Sequence, residues 1–553
     1  MAMNNRSASG LSRFADSSVE GLLRKRIFAC ALVALGTSSP GAEAASSTPE
    51  TVESQCTALE SATFARIQDA PTQVIKAQLV DPTHTNPRYC QVTGYVTPQV
   101  GFELRLPVAN WNGKFIEIGC GGHCGDTKWA SWCPLDRGYA CITSDAGHKG
   151  LSGDVLWGYE NLQAKMDWGY RAPHVTALAG KAITEHYYHA AARESYFLGC
   201  STGGRQALQE AQRFPWDFNG IIAGAPPVNL SAVYMTLAWG ILATHDKSGK
   251  PLLGKTDLEL VTDAALAKCD LDDGVKDGII SDPRNCHFDP TELTCKANQS
   301  SRCLTPVQVD AVNKVYAGPT TSEGVRITPG GPMRGSEYGY SIDEPAGPWS
   351  NFYVGTDGKR SLVESSVIAG LQYLFFTPEL AAGWKLSDLD FDSDYKRLGI
   401  MESLYDSNNP DLRRFKAAGG KLLSYQGTND VAVLPQITED YYETVERTIG
   451  GREATQSFFR LFVLPGVEHC GGGAGADTVD YLSALEAWVE DGRAPDRLVA
   501  AHLKESHTMI DIPSFPLDQG QIQFTRPVYP YPTKTKYRGH GDPNDAANFG
   551  PAN

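Results

Sequence analysis

The sequence lacks the features that mark repeat proteins, membrane-spanning proteins and nucleic-acid-binding proteins. It has no repeat of fixed period and no low-complexity tract, which argues against a solenoid or propeller. No stretch of about 18 uninterrupted apolar residues occurs, so no membrane-spanning helix is predicted. Basic residues are in deficit, with 49 Lys and Arg against 64 Asp and Glu, and this balance argues against nucleic acid as a partner.

The N-terminus carries the pattern of a secretory signal. A basic patch at residues 22–26 precedes a short apolar run at 27–35, and Ala42-Glu43-Ala44 matches an A-x-A cleavage site. We predict a signal peptide over residues 1–44 and a secreted or periplasmic protein, with a membrane anchor as the alternative. Of the 13 cysteines, Cys30 lies in the predicted signal peptide and twelve remain in the mature chain. An even number in an exported protein indicates disulfide bonds.

The pattern of strands and helices predicts an α/β fold. Short apolar strands at 138–143, 195–198 and 220–224 alternate with helices at 172–192 and 205–214, which is typical of a parallel sheet. From 228 to 405 the alternation gives way to turns, cysteines and acidic loops. It then returns in strands at 421–425 and 458–464 and a helix at 481–489. We predict an α/β core, 45–227 and 406–553, interrupted by a lid domain at 228–405, and no regular element after about 528.

The candidate nucleophile is Ser201, at the centre of Gly199-Cys200-Ser201-Thr202-Gly203. A serine hydroxyl needs an exposed position and a neighbouring base, and both are supplied by a strand-turn-helix elbow with flanking glycines. A G-x-S-x-G match alone is a modest signal in a chain with 55 glycines. The apolar strand before it and the helix after it favour the catalytic interpretation over an ordinary turn.

The elbow, together with the alternating strands and helices, predicts an α/β-hydrolase fold. The catalytic residues of that fold follow one another along the chain as serine, acid and histidine, so the base should lie late in the chain. His469 follows the strand at 458–464 and is itself followed by Cys470. A disulfide between Cys200 and Cys470 would hold the nucleophile beside the base. Asp430, which follows the strand at 421–425, is the predicted acid, and Asp440 and Asp477 are the alternatives.

The tetrahedral intermediate needs two backbone N–H donors. The N–H of Thr202, directly after the nucleophile, is one candidate. The glycine-rich stretch Gly119-Cys120-Gly121-Gly122 offers the second, from Gly121 or Gly122, although a plain tight turn would have the same composition.

The sequence resembles the tannase and feruloyl esterase family. The resemblance rests on Gly199-Cys200-Ser201-Thr202-Gly203-Gly204-Arg205 together with His469-Cys470. It is supported by Trp111-Asn112-Gly113-Lys114-Phe115, Ser144-Asp145-Ala146-Gly147-His148, Gly224-Ala225-Pro226 and Trp488-Val489-Glu490. It covers roughly residues 55 to 530 and implies a disulfide-linked Ser, Asp and His triad.

The resemblance also implies a structural calcium site in the lid, within residues 269–279. Its ligands would be the carboxylates of Asp270, Asp273 and Asp277 with the carbonyls of Val275 and Ile279, a set of hard oxygens suited to Ca²⁺. Asp272 would point outward, and a solvated acidic turn is the alternative. The same resemblance implies the disulfides Cys269–Cys286, Cys56–Cys90 and Cys295–Cys303.

One cysteine cluster departs from the family pattern: Cys120, Cys124, Cys133 and Cys141, with His123 among them. Two local disulfides that stiffen the glycine-rich loop are favoured in an oxidising compartment, and a zinc site is the alternative.

The resemblance implies a serine esterase acting on feruloyl, other hydroxycinnamoyl or galloyl esters, through an acyl-enzyme. One branch of the family hydrolyses mono(2-hydroxyethyl) terephthalate with a lid arginine, but residues 370–376 contain none. Lid aromatics could stack on a substrate or form the lid core: Trp349, Phe352, Tyr353, Tyr373, Phe375 and Phe376. A noncatalytic calcium-stabilised binding protein and a serine peptidase are the competing hypotheses.

Overall fold

The computed structural model describes residues 51–83, 86–151, 153–299, 301–339, 347–356, 359–381, 383–505 and 515–552. The predicted signal peptide lies outside the described residues. No helix in the described part of the chain is long and apolar enough to cross a membrane.

Nine strands form the main sheet, in the spatial order β1-β2-β3-β5-β4-β6-β7-β8-β9. They are β1 Thr72–Val80, β2 Tyr89–Val96, β3 Val100–Pro107, β4 Lys114–Ile118, β5 Ala140–Ser144, β6 Glu194–Cys200, β7 Gly220–Gly224, β8 Lys421–Gly427 and β9 Phe459–Leu464. The first three strands and β5 pair antiparallel, and all pairings from β5 to β9 are parallel. In β7, Gly-Ile-Ile-Ala-Gly is buried throughout, as expected for a parallel strand covered on both faces.

The described residues contain thirteen α-helices. They are α1 Val52–Thr57, α2 Leu162–Met166, α3 Ala172–Tyr188, α4 Thr202–Arg213, α5 Leu230–Ala243, α6 Lys255–Cys269, α7 Pro306–Ala317, α8 Glu364–Gly370, α9 Gly399–Tyr405, α10 Arg413–Ala417, α11 Pro435–Ile449, α12 Arg452–Gln456 and α13 Tyr481–Asp491. Helices α3, α4 and α13 pack on the central strands. On α13, Leu482, Leu485 and Trp488 are buried as the helical spacing predicts, because they share one face.

A long insertion separates β7 from β8, although these two strands are direct neighbours in the sheet. It contains α5 to α10 and two short π-helical turns, Ser350–Val354 and Leu371–Phe375. None of its described residues joins the nine-stranded sheet. The described residues form one compact unit, so the division into core and lid at 227/228 and 405/406 stays a prediction.

The expectation of no regular element after about residue 528 was wrong. Strand β10, Leu498–Leu503, pairs with β11, Ile522–Val528, and β12, Lys534–Tyr537, pairs with β13, Phe549–Ala552. The last two strands have only four residues each, too few to show a clear alternation, and they pair with each other. Arg526 of β11 and Lys534 of β12 form ion pairs with Asp277 and Asp282 of the insertion.

Candidate active site

Ser201 lies in a sharp turn between β6 and α4, with φ 61° and ψ −125°. Close backbone contacts explain the surrounding glycines. A Cβ atom added at Gly199 would lie 2.5 Å from the carbonyl carbon of Gly203, and one added at Gly204 would lie 2.2 Å from the carbonyl oxygen of Gly224. Side chains at these positions would therefore separate strand from helix, as the elbow interpretation requires.

A continuous chain of hydrogen bonds joins the three residues predicted to be catalytic. His469 Nε2 lies 2.8 Å from Ser201 Oγ, and His469 Nδ1 lies 2.8 Å from Asp430 Oδ2. The three side chains come from loops that follow β6, β8 and β9, so the carboxyl ends of neighbouring parallel strands bring them together. The arrangement can move a proton from the serine to the imidazole while the carboxylate holds the imidazole ring in place.

Asp430 is fully buried, and its carboxylate is held in a defined orientation. Its Oδ1 accepts the backbone N–H groups of Ala432 and Val433 at 2.9 and 2.8 Å, and its Oδ2 accepts Nε2 of Gln426 at 3.1 Å. The two alternative acids have other partners. Asp440 lies 3.5 Å from Arg284, and Asp477 accepts the backbone N–H of Gly472.

Cys200 and Cys470 form the predicted disulfide, with Cα atoms 5.9 Å apart. The bridge joins residues directly adjacent to Ser201 and His469, across 270 residues of sequence. It therefore ties the nucleophile loop to the base loop through covalent bonds.

The loop after β4 packs directly against the elbow. The Thr202 hydroxyl donates a hydrogen bond to the Gly122 carbonyl oxygen at 2.6 Å, and a Cβ added at Gly119 would lie 2.7 Å from Gly203 Cα. Gly121 packs on Trp129, where an added Cβ would lie 2.6 Å from the ring. The three predicted oxyanion residues, Thr202, Gly121 and Gly122, thus belong to one packed unit beside Ser201.

All twelve cysteines among the described residues are paired. The structure contains the four disulfides expected from the sequence, and the unusual cluster forms two further local bridges, Cys120–Cys124 and Cys133–Cys141. These pairings use the sulfur atoms that a zinc site would require.

A buried polar and aromatic layer links the glycine-rich loop to the insertion, and the sequence did not predict it. The His123 ring is hydrogen-bonded to the Tyr234 hydroxyl of α5, and Tyr234 packs against Phe375. The Arg205 guanidinium donates to the carbonyl oxygens of Trp168, Gly169 and Tyr405. The signal that could have located Arg205 is its place in the Gly-Gly-Arg end of the nucleophile motif.

His148, in the loop after β5, is buried and stacks on Trp157 with ring centroids 3.8 Å apart. Burial lowers the pKa of His148 to about 4, so its imidazole is neutral at physiological pH.

Most of the lid aromatics belong to the interior. The Trp349, Tyr353, Phe375 and Phe376 side chains are fully buried, whereas Phe352 and Tyr373 are partly exposed. Tyr353 also donates a hydrogen bond from its hydroxyl to the Val431 carbonyl oxygen, beside Asp430, at 2.6 Å. The structure thus favours lid core over stacking pocket for four of the six residues.

The predicted calcium ligands lie in a loop bracketed by the Cys269–Cys286 disulfide. Asp270 and Asp273 are buried, whereas Asp272 is exposed, as expected. Asp270 accepts the backbone N–H groups of Asp277 and Gly278, and Asp273 accepts the N–H of Val275 and the Ser281 hydroxyl. Burial raises the pKa of Asp273, and the nearby Asp277 carboxylate adds to the increase.

Buried carboxylates in one short loop are a donor set that fits a hard cation. One carboxylate has a further partner, because Asp277 Oδ2 accepts a hydrogen bond from Arg526 at 2.7 Å. The Oδ1 atom of Asp277 accepts the backbone N–H of Ile279 at 3.2 Å, so each predicted carboxylate ligand also has a hydrogen-bond partner within the chain.

A second cluster of titratable side chains, not predicted from the sequence, lies on α3, on α4 and in the loop between α4 and β7. His174, Glu210 and Asp217 each offer one possible ligand atom within 4.8 Å of the others. Burial raises the pKa of Glu210 well above its usual range, and the Asp217 and Glu117 carboxylates increase it further. Burial lowers the pKa of the neighbouring Lys181, whereas the Asp217, Glu210 and Glu117 carboxylates raise it, and we assign no metal to the cluster.

The sheet order, the elbow and the serine–histidine–aspartate arrangement define an α/β-hydrolase. A model of the family "Tannase and feruloyl esterase" matches residues 84–552. The chain belongs to this family and is a carboxylic ester hydrolase.

Individual relatives agree with this assignment. The chain is 33% identical over 540 residues to an uncharacterized esterase of Xanthomonas campestris pv. campestris, covering 89% of each sequence. It is 32% identical over 527 residues to the mono(2-hydroxyethyl) terephthalate hydrolase of Piscinibacter sakaiensis, covering 84% of each. Feruloyl esterase B from Aspergillus oryzae superposes with a TM-score of 0.76 at 27% identity, covering 91% of this chain and 100% of that one.

Proposed function

We propose that the protein is a secreted serine esterase that hydrolyses esters of aromatic acids, with Ser201 as nucleophile, His469 as base and Asp430 as orienting acid. The observation that carries this proposal is the hydrogen-bond chain from Ser201 Oγ through His469 to Asp430, with both contacts at 2.8 Å. The Cys200–Cys470 disulfide supports it, because the bridge joins the residues next to Ser201 and His469 and so holds the nucleophile loop beside the base loop.

The reaction proceeds by two acyl transfers. His469 takes the proton of Ser201 as Oγ attacks the ester carbonyl, and it then gives this proton to the leaving alcohol. A water molecule attacks the acyl-enzyme by the same route, which releases the acid and restores the serine. The backbone N–H of Thr202 and that of Gly121 or Gly122 stabilise the oxyanion in both steps.

The names of the relatives support an aromatic acyl group, since they include feruloyl esterases as well as the terephthalate monoester hydrolase. Feruloyl, other hydroxycinnamoyl and galloyl esters are the proposed substrates. A terephthalate monoester is the second candidate, favoured by the 32% identity to that hydrolase but opposed by the absence of arginine from residues 370–376.

Export is proposed from two observations. Residues 1–44 have the order of a signal peptide, and six disulfides require an oxidising compartment to persist. Calcium is proposed as a structural ion of the lid at 228–405, held by Asp270, Asp273 and Asp277 with the Val275 and Ile279 carbonyls. It takes no part in the chemistry.

A comparison of three esters tests the substrate assignment: methyl ferulate, methyl gallate and mono(2-hydroxyethyl) terephthalate. We expect kcat/KM to be highest for one of the first two esters. Preference for the terephthalate would favour the second candidate, and cleavage of peptide amides without any ester hydrolysis would contradict the proposal.

A further inference from the structure

Gln206 lies on α4, five residues after Ser201, and its side chain is directed at the glycine-rich loop. The residue is only 2% exposed. Together with Thr202, one helical turn earlier, it contacts the loop after β4, because residues four apart share one helix face. Gln206 is not among the predicted site residues.

The Gln206 carboxamide makes two contacts with a single residue of that loop. Its Oε1 accepts the backbone N–H of Cys120 at 3.1 Å, and its Nε2 lies 3.2 Å from Cys120 Sγ. A Cβ atom added at Gly119 would lie 3.0 Å from Gln206 Oε1. A side chain at position 119 would therefore press on the Gln206 carboxamide, and the glycine there leaves room for it.

Cys120 is the first residue of a short loop that its disulfide to Cys124 closes. This loop contains Gly121 and Gly122, the two candidates for the second oxyanion donor. Since the N–H of Cys120 is bonded to Gln206, the donor to a substrate oxyanion comes from one of the two glycines. The loop is attached to α4 at two points: Cys120 to Gln206 and Gly122 to the Thr202 hydroxyl.

We propose that Gln206 is a positioning residue for ester hydrolysis, which holds the oxyanion loop in register with Ser201 by accepting the N–H of Cys120. The inference rests on the proposed function. Oxyanion donors act only where the charge develops, and removing one such donor lowers kcat by roughly 10²- to 10³-fold. A loop displaced by about 1 Å should lose part of this effect, roughly 10- to 100-fold.

The experiment compares four variants with the wild-type enzyme on the ester that it hydrolyses best. Q206M removes the acceptor, Q206N draws it back by one methylene, and Q206E retains an acceptor oxygen. Q209M is the matched control. Gln209 is an equally buried glutamine on the same helix, but its Nε2 donates to the Asp406 carbonyl oxygen instead.

Kinetic constants and inhibition by an aryl boronic acid separate positioning from stability. The boronic acid forms a tetrahedral anion on the serine and therefore reports on the oxyanion donors. We expect Q206M and Q206N to lower kcat about 10- to 100-fold and to weaken boronate inhibition by a similar factor, with KM changed less than about threefold. Q209M should stay within about threefold of the wild-type kcat, and Q206E should retain more activity than Q206M because its carboxyl can still accept the Cys120 N–H.

The inference is overturned if Q206M and Q206N keep kcat within threefold, if Q209M loses as much as they do, or if Q206E is no better than Q206M. Should Q206M not fold, Q206N and Q206E decide by the same criteria. A wild-type protein that hydrolyses no ester would contradict the proposed function. An active wild-type enzyme with unaffected Gln206 variants would contradict the positioning role alone.

Discussion

The disulfide between Cys200 and Cys470 gives the sharpest prediction about how the two catalytic loops are held. Replacing both cysteines with serine removes the bridge and leaves no free thiol. Ser201, His469 and Asp430 are unchanged in this variant, so a loss of activity reports on alignment and not on missing chemical groups.

The expected loss of stability follows from the length of chain that the bridge closes. For a separation of 270 residues, the chain-entropy relation gives about 5–6 kcal/mol at 25 °C, an upper value because unfolded-state structure and native strain reduce it. The Cys56–Cys90 bridge closes 34 residues, for which the same relation gives about 4 kcal/mol. The two double variants should therefore differ in stability by only about 2 kcal/mol.

Their activities should differ much more. Ser201 and His469 are each adjacent to a bridged cysteine, so the loops can separate when the bridge is lost, and a misplacement of about 1 Å can lower the rate roughly 100-fold. We expect kcat/KM of C200S/C470S to fall about 10- to 100-fold, whereas C56S/C90S keeps most of its activity at a temperature where both variants are folded.

The assay is ester hydrolysis, measured together with thermal unfolding of the same preparations. If C200S/C470S is folded and hydrolyses esters within about threefold of the wild type, the bridge does not align the site. Equal loss of activity in C56S/C90S would show that general destabilisation, and not local alignment, causes the effect.

Three further predictions concern the acid, the pH dependence of stability and calcium. D430N should lower kcat by about 10³- to 10⁴-fold with little change in Tm, because an amide no longer fixes the imidazole tautomer, and D477N should lose far less. Burial raises the pKa of Asp406, which accepts two hydrogen bonds from Ser231, to about 6. The folded protein therefore favours the protonated form of Asp406. This preference stabilises the fold fully below about pH 4, and the free energy of unfolding falls by about 3 kcal/mol as the pH rises through 6. The Tm of D406N should consequently rise relative to wild type between pH 4 and 7, and parallel curves would refute this. Calcium chelation should lower Tm in the wild type and in D272N, but much less in D273N, and equal responses of the two variants would refute the proposed ligand set.

Much of the core fold could be predicted from local patterns. The buried strand at Gly220–Gly224 and the helix beginning at Tyr481 follow from continuous apolar runs and helical spacing. The elbow was predicted because glycines and a serine at fixed spacing have a steric reason to occur there. Local patterns failed at the four-residue strands Lys534–Tyr537 and Phe549–Ala552, which are too short to show a clear alternation of buried and exposed side chains.

The site, too, has residues that the sequence predicts and contacts that it does not. The serine, the histidine and the cysteines beside them are recognisable from order and spacing along the chain. Gln206 and Tyr353 are not, since nothing in the sequence places a buried glutamine against Cys120 or a lid tyrosine against the loop of Asp430. Such contacts depend on how the loop after β4 and the long insertion fold back onto the sheet.

The central claim is that Ser201 is the nucleophile of an esterase, and covalent labelling tests it most directly. The wild-type protein is treated with a fluorophosphonate, the labelled peptide is identified by mass spectrometry, and S201A is carried through the same labelling and ester-hydrolysis assays. We predict one adduct, on the peptide that contains Ser201, and an S201A variant that neither reacts nor hydrolyses esters while keeping its Tm. Labelling at another residue, or ester hydrolysis retained by folded S201A, would contradict the claim.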